Sequence, residues 1–429
     1  MTSTAVVLAG GKGTRLHDAF PGIAKAMVPV AGKPVLEHLV TTYSAQGIGR
    51  FIFAVGHLSE QITAHFGDGS AWGVEITYIH EPEPLGTAGA LHLMGLTEAF
   101  WVFYGDTISD INLNRMHAFH QTMSADATLL VHPNDHPYDS DLVACSLDGK
   151  VTAVHGKPHA FDLEVRNLVN AALYLMEPSV LSHIPHGIAS DFGRDLFPLW
   201  ARRLNLAAYS SPEYIKDMGK LERHEQVQAD IESGLVASRN LALTQRAVFL
   251  DRDGVINIDS DLVKHPDEMV LYPDATKSIQ ALHSAGFVVV VVTNQSVVAR
   301  GLTDLKGVEA IHARMERLLA EEGAFVDQIS FCPHHPDKGY PEEVPAFKIE
   351  CHCRKPKPGM LLDAASRFNI DCSNSWMVGD SERDILAGQA AGCRTIRVKT
   401  GHGLKPSTVV PDAHAAGIWE ATTHILAAK

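Results

Sequence analysis

The sequence lacks any uninterrupted apolar run of the roughly 18 residues that a membrane-spanning helix requires. Its first residues, Met1-Thr2-Ser3-Thr4, lead directly into a short apolar stretch, which is not the pattern of a signal peptide. Positive charge is also scarce, because 36 Lys and Arg face 50 Asp and Glu for a net charge of −14. Such a chain repels nucleic acid and anionic membranes. We therefore expect a cytoplasmic protein with neither as a partner, and the oligomeric state stays open.

Cysteine is sparse, with six residues in 429, which fits a reducing compartment better than a disulfide scaffold. Three of the six lie close to a histidine, in the pairs Cys332 with His334 and Cys351 with Cys353. Three thiolates and one imidazole complete the tetrahedral shell of a structural Zn²⁺. The polar segment between the pairs has no helical or strand period, and a loop of this length rarely orders unaided. We predict a structural zinc site at Cys332, His334, Cys351 and Cys353 that orders this loop.

Internal repeats and low-complexity tracts are absent too, and 429 residues are too many for one typical core. Two places share one pattern, an apolar strand followed by a phosphate-type loop: 5–11 and 247–254. Apolar runs alternate with helical patterns on both sides of residue 240, which predicts βαβ units with sites at the carboxyl ends of strands. The predicted fold class is α/β, with two different Rossmann-like domains at 1–235 and 246–429 and a linker at 236–245.

The first phosphate-type loop is rich in glycine and opens a predicted helix. Its glycines let backbone N–H groups approach phosphate oxygens, and its two cations add charge; the residues are Gly10, Gly11, Lys12, Gly13, Thr14 and Arg15. The spacing is not that of a Walker loop. Further motifs follow in order along the chain: Lys25 in K-A-M-V-P-V, P-L-G-T-A-G at 84–89, Y-G-D-T at 104–107 and D-M-G at 217–219.

This ordered set resembles the sugar-nucleotide pyrophosphorylases, nucleotidyltransferases acting on sugar 1-phosphates, over residues 1–235. The resemblance implies attack by a sugar 1-phosphate oxygen on the α-phosphorus of a nucleoside triphosphate, with pyrophosphate as leaving group. It implies that Asp106 and Asp217 bind Mg²⁺, and that Arg15 and Lys25 offset the negative charge of the triphosphate. The remaining implied contacts are to nucleotide by the glycine-rich loop with Gly86 and Thr87, and to sugar phosphate by Lys157 and Asn170.

One departure from the family pattern concerns the sugar. The family's E-K-P element appears here as Gly156-Lys157-Pro158, and its N-A-G element as Asn170-Ala171-Ala172. Lys157 can still meet the sugar phosphate, but the glutamate that contacts hexose hydroxyls is missing. We therefore expect a substrate other than the common glucose phosphate.

The second loop places Asp251 and Asp253 on one side of a tight turn, where one carboxylate can attack phosphorus and the other can manage a proton. A D-x-D pair alone is weak evidence. Further motifs follow it in order: T-N-Q-S at 293–296, R-K-P at 354–356 and G-D-S at 379–381.

Together these motifs resemble the haloacid dehalogenase superfamily of phosphatases. The resemblance implies that Asp251 is the nucleophile and Asp253 the general acid and base. It assigns the phosphoryl group to Thr293, Asn294, Arg354 and Lys355, and Mg²⁺ to Asp251, Asp253 and Asp380.

Two groups of this superfamily carry a zinc loop, the D-glycero-D-manno-heptose 1,7-bisphosphate 7-phosphatases and the histidinol-phosphate phosphatases. The sequence at 249–257 and 293–301 is more similar to the heptose group, although Val297 and Val298 replace its usual Gly-Ile. Removal of the 7-phosphate would leave a heptose 1-phosphate, the kind of substrate that the first domain activates.

We therefore expect a bifunctional enzyme whose partners are heptose bisphosphate, heptose 1-phosphate and a nucleoside triphosphate. GTP is predicted from the resemblance, giving GDP-D-glycero-α-D-manno-heptose. Two alternatives stay open: a histidinol-phosphate or other sugar phosphatase fused to a hexose 1-phosphate nucleotidyltransferase, and a pair in which one domain binds ligand without turnover.

Overall fold

A computed structural model describes residues 2–11, 16, 18–81, 83, 85–160, 163–339 and 341–428. The chain divides into two compact units. The N-terminal unit comprises Met1–His132, Ser140–His159 and Val169–Asn240. The C-terminal unit comprises Pro133–Asp139, Ala160–Leu168 and Leu241–Lys429. Strands alternate with helices in both units, so the predicted α/β class is confirmed. The boundaries proposed from sequence at 235 and 246 stay a prediction.

The N-terminal unit contains a mixed sheet and two short antiparallel pairs. Its strands are β1 Thr4–Leu8, β2 Pro29–Val30, β3 Lys33–Pro34, β4 Arg50–Val55, β5 Glu75–His80, β6 Phe100–Tyr104, β7 Thr107–Ser109, β8 Ala127–His132, β9 Leu142–Cys145, β10 Val151–His155, β11 Val169–Met176, β12 Leu206–Ser210 and β13 Ile215–Asp217. Its helices are α1 Val35–Ser44, α2 Ser59–Phe66, α3 Gly86–Gly89, α4 Leu113–Met123, α5 Phe197–Trp200, α6 Leu221–Glu232 and α7 Leu235–Ser238.

Nine strands form the main sheet of this unit, in the order β10-β9-β11-β6-β1-β4-β5, with β8 beside β11 and β12 beside β8. Strands β6, β1, β4 and β5 run parallel, and β11 runs antiparallel to β6. The middle of β1 is buried, and β4 is buried over its last five residues. Such continuous apolar strands are typical of a parallel sheet covered on both faces. The loops after β1 and β6 therefore meet at one edge of the sheet.

The C-terminal unit is built on a six-stranded sheet in which all pairings are parallel. Its strands are β14 Ala247–Leu250, β15 Val288–Asn294, β16 Gln328–Cys332, β17 Trp376–Gly379, β18 Arg394–Val398 and β19 Ala413–Ala415, in the order β16-β15-β14-β17-β18-β19. Its helices are α8 Ala275–Ser284, α9 Leu305–Glu321, α10 Gly359–Phe368, α11 Glu382–Ala391 and α12 Ile418–Ala427.

Helix α9 shows how local sequence builds this unit. The side chain of Asp304 caps its first turn by accepting a hydrogen bond from the Gly307 N–H at 2.8 Å. Its buried residues recur every three or four positions, which is the period of one helical face: Val308, Ile311, Met315 and Leu319. Ile311, Met315 and Leu319 pack into the core beneath β14 and β15, and Val308 packs against Val297 and Val298.

Segment 160–168 belongs to the C-terminal unit although strands of the N-terminal unit flank it in sequence. The Arg166 guanidinium donates to the buried Glu316 carboxylate of α9 through Nε and Nη2 at 2.8 and 2.9 Å, and to Glu309 at 3.0 Å. The backbone N–H of Asn167 also donates to Glu316, at 2.9 Å. These contacts hold Arg166 and Asn167 against the helix.

Within the described residues, no helix has both the length and the apolar character needed to cross a bilayer.

Candidate active sites

The phosphatase-type residues meet because three neighbouring strands end side by side. Asp251 follows β14, Thr293 and Asn294 end β15, and Asp380 follows β17, in a sheet where β14 lies between β15 and β17. Carboxyl ends of parallel strands are where α/β proteins bind ligands. Thr293 is buried and Asn294 is half-buried at this edge.

Lys355 provides the positive charge among these acids. Its ammonium lies 2.9 Å from Asp251 Oδ1 and 2.6 Å from Asp384 Oδ1, and it donates to the Val292 carbonyl at 2.7 Å. Asn294 fixes the backbone of Lys355 from both sides: its Oδ1 accepts from the Lys355 N–H at 3.1 Å, and its Nδ2 donates to the Lys355 carbonyl at 3.0 Å. Asn294 thus positions Lys355. From sequence, both residues are predicted to contact the phosphoryl group.

Three carboxylates converge around that single ammonium. Ligand atoms of Asp251, Asp380 and Asp384 lie within 4.8 Å of one another. Burial and the Asp384 charge raise the pKa of Asp251, although Lys355 opposes the shift. Burial raises the pKa of Asp380 to about 6. Three acids with one lysine leave surplus negative charge, and carboxylate oxygens suit a hard divalent cation, so this donor set fits Mg²⁺.

Two glycines surround Asp380. Gly254 has φ +82°, and a Cβ there would lie 2.4 Å from Asp380 Oδ2; Gly401 has φ +54°, and its Cβ would lie 2.2 Å from the same atom. Only glycine meets both the backbone and the space requirement.

The Asp253 carboxylate is held apart from this acidic group. Arg252, Asn257 and Gln295 all donate to it, and the Arg252 guanidinium is fully buried. The charge of Arg252 and these hydrogen bonds outweigh burial and lower the pKa of Asp253. A metal contact from Asp253 stays a prediction, and Asp384 is the third carboxylate of the group.

A pocket of about 210 Å³ opens above these residues. Its lining includes several cationic and titratable side chains besides Lys355, namely Arg300, Arg354, Arg383, His335 and His402. Asp259 also lines it, and its Oδ2 lies 3.4 Å from His402 Nε2. The three guanidinium groups place positive charge in a pocket that six aspartate side chains also line.

The predicted zinc ligands converge on one point. Cys351 Sγ lies 3.5 Å from Cys332 Sγ and 3.3 Å from Cys353 Sγ, and His334 Nδ1 lies 3.6 Å from both Cys332 Sγ and Cys353 Sγ. Tetrahedral zinc with ligand bonds of about 2.0–2.3 Å separates its ligand atoms by roughly 3.3–3.8 Å. The four side chains therefore fit Zn²⁺ with every position filled by protein.

The loop around this cluster supports the pocket. The Val344 N–H donates to the Ala299 carbonyl at 3.0 Å, which ties the loop to the segment after β15. Arg354 Nη1 donates to the carbonyl of His334 at 2.9 Å. The cluster thus positions a guanidinium that lines the phosphate pocket.

In the N-terminal unit, backbone pairing brings the two predicted metal carboxylates together. Asp106 follows β6 and precedes β7, while Asp217 ends β13, and β7 pairs with β13. The Met218 N–H donates to the Asp106 carbonyl at 3.0 Å. Lys25 forms an ion pair with Asp106, and Arg223 forms one with Asp217. Two carboxylates at one sheet edge fit a Mg²⁺ site.

The glycine-rich loop is described only in part. Gly10 and Gly11 lie just beyond the end of β1, and the Leu8 carbonyl accepts from the Gly105 N–H at 3.0 Å, beside Asp106. The predicted residues Lys12, Gly13, Thr14 and Arg15 lie outside the described residues.

The loop with the predicted nucleotide contacts Gly86 and Thr87 packs against the segment 190–192. Gly86 has φ +74°, and a Cβ there would lie 2.5 Å from the Ser190 carbonyl oxygen. The Thr87 hydroxyl donates to Asp191 Oδ2 at 3.0 Å and accepts from the Phe192 N–H at 2.9 Å. Thr87 therefore anchors the loop to the segment 190–192.

The two predicted sugar-phosphate residues lie near each other. Lys157 follows β10 and is exposed, and Asn170 lies on β11, half-buried. Asp141 contacts the backbone of both, since its Oδ1 accepts from the Lys157 N–H at 3.1 Å and its carbonyl from the Asn170 N–H at 2.9 Å.

Sequence reasoning missed several residues at these sites. Arg252 and Gln295 stand inside recognised motifs, so their position was a signal for contact with Asp253. Asn257 ends the recognised stretch 249–257 and donates to Asp253. Asp259 and His402 lie in loops without a distinctive pattern, and only the fold brings them to the pocket.

Together, the two sites define the class: a bifunctional α/β enzyme with a nucleotidyl-transfer site and an aspartate-based phosphatase site. The sequence model of the nucleotidyl transferase family matches residues 4–234, and that of the HAD-hydrolase-like family matches 352–421. A D-glycero-beta-D-manno-heptose-1,7-bisphosphate 7-phosphatase of Pseudomonas aeruginosa is 44% identical over 164 residues, 38% of this chain and 86% of that protein. The chain thus belongs to the nucleotidyl transferase family and, in its C-terminal part, to the D-glycero-beta-D-manno-heptose-1,7-bisphosphate 7-phosphatases.

Two solved structures are also similar. A D,D-heptose 1,7-bisphosphate phosphatase of B. bronchiseptica, complexed with magnesium and phosphate, is 40% identical with a TM-score of 0.38, covering 42% of this chain and 98% of that one. HddC from Yersinia pseudotuberculosis is 24% identical with a TM-score of 0.47, covering 54% of this chain and all of that one (100%).

Proposed function

We propose that the chain removes the 7-phosphate of D-glycero-D-manno-heptose 1,7-bisphosphate and then transfers GMP from GTP to the heptose 1-phosphate. The observation that carries this proposal is the pairing within one chain. A phosphatase unit related to heptose bisphosphate phosphatases accompanies a nucleotidyl transferase domain, and the product of the first reaction is a substrate of the kind the second requires.

In the phosphatase reaction, the Asp251 carboxylate attacks the phosphorus of the 7-phosphate. The bond to the sugar oxygen breaks as an aspartyl phosphate forms, and Asp253 gives a proton to the departing oxygen. Asp253 then takes a proton from the water that hydrolyses the aspartyl phosphate. Lys355, 2.9 Å from Asp251, offsets the charge of the transferring group.

Mg²⁺, held by Asp251 and Asp380 with Asp384 nearby, would neutralise charge on the phosphoryl oxygens when bound. The buried acids of this group have raised pKa values at Asp251 and Asp380, so added positive charge favours the ionised nucleophile. Zn²⁺ on the four-ligand cluster would be structural, because no position is left for water.

The 1-phosphate, which is not removed, also supports heptose 1,7-bisphosphate as the substrate of the phosphatase site. The 1-phosphate adds a second anion to the substrate, and the pocket above Asp251 is lined by Arg300, Arg354 and Arg383. A monophosphate such as histidinol phosphate presents an amine instead, which these guanidinium groups would disfavour.

In the transferase reaction, the sugar 1-phosphate oxygen attacks the α-phosphorus of the nucleotide and pyrophosphate leaves. Positioning and charge neutralisation carry most of such a barrier. Lys25 stands beside Asp106 at the sheet edge where the glycine-rich loop begins, and the Lys157 ammonium would contact the sugar phosphate. Asp106 and Asp217 would hold Mg²⁺, which would offset charge on the triphosphate when bound.

Guanine is the proposed base because the first domain resembles the GDP branch of manno-heptose activation. The proposal includes a cytoplasmic location, where the nucleoside triphosphate is available.

The test uses the full-length protein with heptose 1,7-bisphosphate and each of GTP, ATP, CTP and UTP. Phosphate release should need no nucleotide, whereas pyrophosphate release should follow it and require GTP. A guanine site loses hydrogen bonds to adenine, so ATP should be poorer by on the order of 100-fold in kcat/KM. Equal turnover with ATP would contradict only the assignment of GTP and would leave the heptose assignment intact. Faster hydrolysis of histidinol phosphate, or no pyrophosphate from ready-made heptose 1-phosphate with any nucleotide, would contradict the heptose assignment.

A further inference from the structure

The Asp141 carboxylate occupies a space that two glycines leave open. Asp141 immediately precedes β9, and Gly193 lies in the single π-helical turn Phe192–Leu196. A Cβ added to Gly193 would lie 2.0 Å from Asp141 Oδ2 and 3.6 Å from Asn170 Nδ2. An aspartate at 141 in this position therefore requires glycine at 193, and the carboxylate and the Asn170 amide both lie beside that glycine.

The second glycine is Gly156. A Cβ added there would lie 4.0 Å from Asp141 Oδ1 and no nearer than 3.8 Å to its neighbours, so a side chain could project into this space. Position 156 is where the resembled family carries its sugar-binding glutamate. In this chain a carboxylate reaches the same space from residue 141 instead.

The bonding of Asp141 leaves it able to take a ligand. Among the described residues, Oδ1 accepts a hydrogen bond from the Lys157 N–H at 3.1 Å, while an ionised carboxylate offers about four acceptor positions. The side chain is half-buried, so hydrogen bonds to its charge are stronger than at an exposed surface. The neighbouring Lys157 ammonium suits a phosphate, which leaves hydroxyl groups for the carboxylate.

We propose that Asp141 binds hydroxyl groups of the sugar 1-phosphate and determines which sugar the transferase accepts. The inference rests on the proposed function, which places the sugar phosphate at Lys157 and Asn170. Aspartate is one methylene shorter than glutamate and starts from a different strand, so it meets the sugar ring from another direction. A site built to bind a given set of hydroxyls discriminates strongly against sugars that leave its carboxylate unpaired.

The experiment measures pyrophosphate release by full-length protein with heptose 1-phosphate, mannose 1-phosphate and glucose 1-phosphate at saturating GTP. Asp141→Ala should lower kcat/KM for heptose 1-phosphate by on the order of 10- to 100-fold, mostly through KM, with KM for GTP unchanged within twofold. Asp141→Asn keeps the size and one acceptor oxygen and should lose less. Asp148→Asn, which removes an exposed carboxylate from the β9–β10 turn, is the matched control.

A compensating variant sharpens the test. Gly156→Glu alone puts two carboxylates into one space and should impair turnover. Combined with Asp141→Gly it should recover activity, with the preference shifted toward glucose 1-phosphate. A KM for GTP that stays within twofold of the unaltered protein shows in each case that the N-terminal unit is folded.

Two outcomes would overturn the inference. If Asp141→Ala and Asp141→Asn leave the sugar-phosphate KM within twofold, or raise the KM for GTP equally, Asp141 has no part in sugar selection. If the unaltered protein turns over none of the three sugar phosphates with any nucleotide, the proposed function fails and the inference fails with it.

Discussion

Arg252 grips the carboxylate of its neighbour Asp253. Its Nη2 donates to both oxygens at 2.9 Å and its Nε to Oδ1 at 3.1 Å, while its guanidinium is fully buried. A buried, forked contact of this kind fixes the plane of the carboxylate as well as its position. Since Asp253 is the proposed proton donor to the departing sugar oxygen, Arg252 sets the direction of that transfer.

Arg252→Met should slow phosphorylation of Asp251 by a sugar phosphate by roughly 100-fold or more, because a poor alcohol leaving group needs the proton. Phosphorylation by p-nitrophenyl phosphate should fall much less, since its leaving group departs without help. Single-turnover release of the leaving group measures both. Arg252→Lys, which keeps one donor, should recover part of the loss. Equal loss for both substrates would mean that Arg252 only supports folding.

Removing one carboxylate at each site should separate the two reactions. Asp251→Asn should abolish phosphate release from the bisphosphate, yet leave pyrophosphate release from ready-made heptose 1-phosphate intact. Asp106→Asn should do the reverse. The two variants control for each other in parallel assays. A folded variant in which one substitution silences both reactions would exclude two independent sites.

Loss of a zinc ligand should weaken the phosphatase alone. Cys351→Ser should reduce the metal content from about one Zn²⁺ per chain to near none and lower phosphatase kcat/KM, because Arg354 binds the carbonyl of the ligand His334 at 2.9 Å. Elemental analysis and both assays check this. Cys372→Ser removes a thiol outside the cluster and should change neither. Zinc-free protein with full phosphatase activity would contradict a structural zinc.

His312 should make the protein acid-sensitive. Its ring is fully buried against Phe331, and neither ring nitrogen has a hydrogen-bond partner in the described part of the chain. Burial, with the charges of Arg252 and Arg166, holds the pKa of His312 well below its usual value. Below about pH 6.5 the unfolded chain therefore binds a proton at His312 that the folded chain does not bind. The free energy of unfolding decreases as the pH decreases, by up to about 1.4 kcal/mol per pH unit.

Urea unfolding between pH 5 and 8 measures this slope. His312→Leu should flatten it below about pH 6.5, whereas His414→Gln, at an exposed position, should leave it unchanged. An identical slope in His312→Leu would place the acid sensitivity in other groups.

Much of the phosphatase site could be predicted from sequence because it depends on strand ends. Asp251, Asn294 and Asp380 each follow or end an apolar run, and a parallel sheet brings such positions together. The convergence of the four proposed zinc ligands was equally predictable, since each pair lies within one turn. Contacts that depend on tertiary packing were not. A charged residue between two aspartates would be expected at the surface, yet Arg252 is buried.

Less of the transferase site could be predicted from sequence, because more of its contacts depend on tertiary packing. Motif order placed Asp106 and Asp217 in one site, and strand pairing explains how residues so far apart meet. The relation of Asp141 to Gly156 and Gly193 joins three separate elements, and no periodicity along the chain encodes it.

Segment 160–168 has a practical consequence for dissecting this protein. A fragment beginning at residue 241 would keep Glu316 but lose both Arg166 and the Asn167 N–H, which donate to that buried carboxylate. Leaving a buried charge without its partner typically costs about 3–5 kcal/mol, a large part of the stability of one domain. Inactivity of such a fragment would therefore reflect the lost ion pair rather than the properties of the phosphatase site. Each site is better studied in the whole chain, with the other site inactivated by a substitution.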